Sequence, residues 1–109
     1  MYKRRAHILF VYAQALDRVA LTRQVRRIGD DWLEAKMKGP DDAIEPEHLA
    51  WADLVVALDE TSCHRLQTAR ISCPYRCWRL RPGLQWHTDL QQQIQSMVGG
   101  MKLLQRLDP

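Results

Sequence analysis

No stretch of this 109-residue chain is both apolar and long. Its longest apolar runs fall far short of the roughly 18 residues a spanning helix needs, so a membrane-crossing segment is excluded as a reading. Cysteine is scarce at three residues, too few for a disulfide scaffold. Three cysteines cannot all pair within one chain, and a reduced, cytoplasmic setting follows as the expectation. Five glycines and five prolines exclude collagen-like and low-complexity chains. What is left, 46% apolar and 27% charged, is the composition of one compact domain spanning residues 1–109. A chain of this size buries roughly two-thirds of the surface its unfolded form exposes.

The net charge of +3 conceals a strong segregation. Residues 1–29 carry seven Lys/Arg against Asp17 alone, residues 30–60 two against ten acidic, and residues 61–109 seven against Asp89 and Asp108. The segments therefore stand at +6, −8 and +5. Such blocks are ordinarily solvated faces, and nucleic acid is not the expected partner. The opening Met1-Tyr-Lys-Arg-Arg-Ala-His-Ile-Leu-Phe-Val-Tyr-Ala-Gln-Ala15 has the outline of a secretory signal, but its uninterrupted apolar run, Ile8 to Ala13, is below the usual minimum of about seven. It reads instead as a buried strand.

Periodicity supports an alternating α/β chain. Residues 7–12 and 53–58 are continuous apolar runs suited to central parallel strands covered on both faces. Leu33, Ala35 and Met37 alternate with Glu34 and Lys36, the period of an edge strand over 32–37. A fourth strand is expected over 75–80, with Cys77 in the core. Between them, Leu21, Val25 and Ile28 recur at helical spacing up to Gly29, and Pro46 opens a short helix over 46–52. Asp59 caps a helix over 60–69. Thr88-Asp-Leu-Gln91 fits a capping box for a last helix with Leu90, Ile94, Met97, Met101 and Leu104 on one face, and Gly99-Gly100 predicts a kink or a close contact within it. The expected fold is a three-layer α/β sandwich on a four-stranded parallel sheet, with 7–12 central and 32–37 and 75–80 at the edges.

In such sheets ligands bind beyond the carboxyl ends of the central strands. The turn after Val11 reads Tyr12-Ala-Gln-Ala-Leu-Asp-Arg18-Val19. Five residues between Tyr12 and Arg18, then a helix amino end, describe an anion cradle of backbone N–H groups and one guanidinium. The candidate anion-binding residues are Ala13, Gln14, Ala15, Leu16, Asp17, Arg18 and Arg81.

The strand Ile8-Leu9-Phe10-Val11 with Arg18, the stretch Pro46-Glu-His-Leu-Ala-Trp-Ala-Asp-Leu-Val-Val-Ala-Leu58, and Cys73-Pro-Tyr-Arg-Cys-Trp78 together resemble the low-molecular-weight protein tyrosine phosphatases of the short bacterial type. The resemblance implies a phosphatase-like fold over most of the chain and a loop that opens on a nucleophilic cysteine and closes on an arginine and a serine. Here Tyr12 stands at the nucleophile, Val19 at the serine and Arg81 at the general-acid aspartate before Pro82. A phenol is neutral where a loop thiolate is ionised, and its ring takes the room of a phosphate. No carboxylate remains at Arg81 to protonate a leaving group. No catalytic residue is therefore assigned at these degenerate positions. The resemblance implies a pseudophosphatase acting as an anion- or phosphoprotein-binding or regulatory interaction module, with a phosphorylated protein or a small anion such as phosphate or sulfate as partner. The alternative is a weakly active phosphomonoester hydrolase.

Arg18 itself has two readings, a structural tie to Asp17 or loop carbonyls and a residual anion contact, and Tyr12 reads as an aromatic plugging an unused pocket. Arg18 and Arg81 are expected to converge from neighbouring strands. Cys63, His64, Cys73 and Cys77 offer zinc-type ligands without a finger or ribbon spacing, so no metal and no cofactor is expected. Trp32, Trp51, Trp78 and Trp86 do not cluster in sequence and read as core or groove aromatics.

Overall fold

The computed structural model describes residues 5–14, 17–29, 33–81 and 85–107, with side chains as far as Met97. The elements run β1 (Ala6–Val11), α1 (Arg18–Gly29), β2 (Leu33–Lys38), α2 (Pro46–Trp51), β3 (Leu54–Ala57), α3 (Glu60–Ala69), β4 (Tyr75–Cys77) and α4 (Gln85–Leu107). The four strands form one parallel sheet in the order β2-β1-β3-β4. Phe10 of β1 lies opposite Met37 of β2 and Val56 of β3.

The apolar runs behave as two-sided strands should. Ile8, Leu9, Phe10 and Val11 are all fully buried, as are Val55, Val56 and Ala57. Alternate residues of β1 enter different cores. Ala6, Ile8 and Phe10 pack with Leu21 and Val25 of α1 and Leu90 and Ile94 of α4, while Leu9 and Val11 pack with Cys63 and Leu66 of α3. The sheet is thus the middle of three layers. The edge strand β2 shows its alternation as burial, with Leu33 buried and Glu34 and Lys36 exposed. On α1 the exposed residues include Arg23, Arg26 and Arg27, away from the apolar stripe.

Several boundaries differ from the sequence expectation. β4 has only three residues, although Trp78 N and Leu80 N still donate to Ala57 O (2.7 Å) and Leu58 O (3.2 Å), so the chain follows β3 further than the strand does. α4 begins at Gln85, three residues before Thr88, so the expected capping box is incorrect. Asp89 instead receives the backbone N–H and the guanidinium of Arg81, anchoring the chain that leads into the helix. The helix runs through Gly99-Gly100, and Leu90 and Ile94 are fully buried as the stripe requires. The side chains of Met101 and Leu104, and all of Trp32, lie outside the described residues.

The expectation of reduced cysteines is also corrected. Cys63 of α3 and Cys77 of β4 form a disulfide, with Cα atoms 5.5 Å apart across 14 residues, and Cys73 is free. The parallel crossover through α3 lays one face of the helix over β4, which a count of cysteines does not reveal. This bond removes two of the four zinc-type ligands. Among the described residues no helix is long and apolar enough to cross a membrane.

Phe10 has no exposed surface and its ring centroid lies 6.0 Å from that of Trp78. Phe10→Ala is expected to lower unfolding free energy by about 3–5 kcal/mol in urea denaturation. Arg23→Ala, on the solvated face of α1, should stay within about 0.5 kcal/mol of the wild type.

Candidate functional site

The carboxyl edge of a parallel sheet gathers loop amides and helix amino ends, all carrying unpaired N–H donors. In this chain three aspartates meet them. Asp59, the residue after Leu58, caps α3 by accepting the Ser62 N–H at Oδ1 (2.8 Å). Its other oxygen, Oδ2, accepts the N–H groups of Ala13 (2.7 Å) and Gln14 (3.0 Å). One carboxylate therefore joins the loop after β1 to the helix after β3. Burial alone would push this carboxyl up, but the Ala13, Gln14 and Ser62 donors outweigh burial, and its pKa lies below the ordinary 3.8. The Ser62 hydroxyl adds to this shift from nearby, although its geometry falls short of a directed bond.

Asp17 occupies the amino end of α1. Its Oδ1 accepts the Val19 N–H (2.9 Å) and more weakly that of Ala20 (3.4 Å). Its role is that of a helix cap rather than of a charge competing for the loop. The Val19 side chain is 64% exposed.

Arg18 is bound on two sides. Its Nε donates to the Tyr12 hydroxyl (3.0 Å), and its Nη2 pairs with the Asp42 carboxylate. The structural tie of Arg18 is thus to Asp42 and not to Asp17. Asp42 Oδ2 also accepts the Gly39 N–H at 2.7 Å. That donor, followed by the guanidinium, holds the Asp42 carboxyl below its ordinary range. The Tyr12 hydroxyl, followed by Asp42, raises Arg18.

Tyr12 is only 5% exposed and belongs to the core cluster beneath α1 and α4. Its N–H continues the sheet by donating to Lys38 O (3.0 Å). A Cβ at Gly39 would lie 3.1 Å from the Tyr12 hydroxyl and 3.2 Å from Arg18 Nη2. A side chain at Gly39, just past β2, would crowd this pair and require it to give by a few tenths of an ångström.

Arg81 is elsewhere. β3 lies between β1 and β4, so the expected approach of Arg18 and Arg81 from neighbouring strands is incorrect. The Arg81 guanidinium makes a two-pronged pair with Asp89 (3.0 and 2.8 Å). Each arginine has its own carboxylate. Of the candidate residues, the structure brings Tyr12, Ala13, Gln14, Asp17 and Arg18 to one edge, and Ala15 and Leu16 lie outside the described residues. Among the described residues no group of three His, Cys, Asp or Glu side chains could hold a metal ion.

Asp42 and the second role of Asp59 escaped the sequence. Asp59 was legible only as a cap, and Asp42 only as part of the Gly39-Pro-Asp-Asp42 loop. No family model matches the chain, and comparison with curated proteins and with solved structures yields no significant match.

Asp59→Ala removes a cap and the shared acceptor of two loop amides. It is expected to cost about 2 kcal/mol at neutral pH. Because the folded pKa is lowered, the Asp59 contribution is present above the ordinary value of 3.8 and is lost as pH falls through the folded value. Urea denaturation from pH 7 to pH 2 should therefore show a steep loss of wild-type stability below about pH 4, and a shallower one in Asp59→Asn. Equal slopes in the two proteins would contradict the assignment.

Proposed function

We propose that this chain is a catalytically silent, phosphatase-like interaction module whose anion loop is closed by its own carboxylates. The observation that carries the reading is the occupancy of the loop's donors. Ala13 N, Gln14 N, the α1 amino end and the Arg18 guanidinium, the groups that would hold a phosphoryl oxygen, are bonded to Asp59, Asp17 and Asp42. The Tyr12 side chain is buried just past β1, with its hydroxyl on Arg18 Nε. Chemistry on a phosphate ester needs a nucleophile, an acid and a preorganised cradle together. In the resemblance to low-molecular-weight tyrosine phosphatases, Tyr12 replaces the first and Arg81 the second, and the cradle already has its anions.

An incoming phosphate or phosphorylated side chain has to compete with Asp42 for the exposed side of Arg18, whose side chain is 50% exposed. Two carboxylates nearby add repulsion. The partner class this reading favours is a phosphorylated protein whose affinity comes mainly from surface outside the loop, with the anion contact contributing register. For free phosphate the expected dissociation constant is millimolar, about −4 kcal/mol, and weakens with salt.

p-Nitrophenyl phosphate turnover should not exceed background from mildly acidic to neutral pH. Phosphate-specific turnover that disappears in Arg18→Ala would overturn the reading in favour of a weakly active hydrolase. Tyr12→Cys alone should restore little activity, because Val19 and Arg81 leave thiolate and leaving group without support.

A further inference from the structure

The disulfide sits one helical turn from the carboxylate that closes the loop. Cys63 N donates to Asp59 O at 3.0 Å, so the covalent tie and the grip on Ala13 and Gln14 share the first turns of α3. At its other end the bond holds β4, a strand of three residues in which Tyr75 and Arg76 are exposed. The two sulfurs differ in access. Cys63 is 1% exposed, whereas Cys77 is partly exposed. The same junction holds two buried polar atoms without a hydrogen-bond partner, Gln14 Nε2 and Ser62 Oγ.

We propose that Cys63–Cys77 is a reversible thiol-exchange site, attacked at Cys77 Sγ by a dithiol reductant, and that its reduction loosens the grip of Asp59 on the loop after β1. The link to the loop rests on the reading of that loop as a cradle closed by internal carboxylates. A reductant thiolate forms a mixed disulfide with Cys77 Sγ and the Cys63–Cys77 bond breaks, Cys63 leaving as a thiolate that takes a proton from solvent. The second thiol of the reductant then attacks its own sulfur in the mixed disulfide and releases Cys77, which is protonated in turn. Two electrons and two protons pass to the protein, and the reductant ends as its disulfide. Cys73 packs against the same cluster, but burial pushes its thiol up, so it remains protonated and a poor competitor for the bond. Without the tie, α3 is held to the β4 side by packing and by the solvent-exposed Glu60–Arg79 ion pair, a weak restraint, and its first turn can shift enough for Asp59 to release Ala13 and Gln14.

The test is hydrogen exchange on the full chain, oxidised with oxidised glutathione or reduced with dithiothreitol, beside a count of alkylatable thiols under denaturing conditions. One free thiol is expected in the oxidised chain and three in the reduced one. The Ala13 and Gln14 amides should exchange roughly tenfold faster after reduction, while Ile8 to Val11 of β1 stay protected. A chain carrying Cys63→Ser and Cys77→Ser should exchange at the faster rate with or without dithiothreitol. Three free thiols after oxidation, or Ala13 and Gln14 rates indifferent to reduction, would overturn the proposal. The wild-type comparison stands if the double variant fails to fold. A failed phosphate titration in both redox states would refute the anion-site reading and leave the exchange result intact.

Discussion

The bond on which the rest of this structure depends is the bifurcated grip of Asp59. One carboxylate takes N–H groups from a loop and from a helix that follow different strands, and so holds the carboxyl ends of β1 and β3 in one arrangement. A parallel sheet with helix amino ends at one edge concentrates partial positive charge there. An anion, whether a ligand or a side chain, is favoured at that edge. Here the chain supplies it three times, at Asp59, Asp17 and Asp42, and the acidic middle segment that stood at −8 in the sequence contributes two of the three.

This has a direct consequence for binding. A carboxylate fixed within hydrogen-bond distance competes with a free anion as an intramolecular partner. Ala13 and Gln14 give their N–H groups to Asp59, whereas the Arg18 side chain is half exposed and that of Asp42 about a third exposed. Tyr12 is buried, and its hydroxyl accepts from Arg18 Nε and so orients the guanidinium. The disulfide begins one helical turn after Asp59, in the same first turns of α3.

Much of the fold was legible because burial follows local period. The continuous runs at Ile8 to Val11 and Leu54 to Ala57 became central strands, the alternation at Leu33 to Lys38 became an edge, and Asp59 capped the helix Glu60–Ala69 as read. The site was legible only in outline. Tyr12, Asp17 and Arg18 were placed at the right edge, but the partners that give them meaning are distant in sequence: Asp59 lies 46 residues from Ala13, and Asp42 lies 24 from Arg18. Periodicity carries no information about such pairs, because they depend on strand order and register. The same limit explains the Cys63–Cys77 bond. The start of α4 was missed for a different reason. Thr88 and Gln91 satisfy the capping pattern locally, but Trp86 is a buried core residue, and packing it draws the helix three residues further back.

The central claim, that Asp59 is the anion of its own loop, is tested most directly by a pH titration of backbone amide shifts. The account predicts that Ala13, Gln14 and Ser62 move together with a single midpoint below 3.8, and that this common transition is absent in Asp59→Asn. Amides at 13 and 14 that titrate independently of Ser62, or that keep their transition in Asp59→Asn, would contradict it.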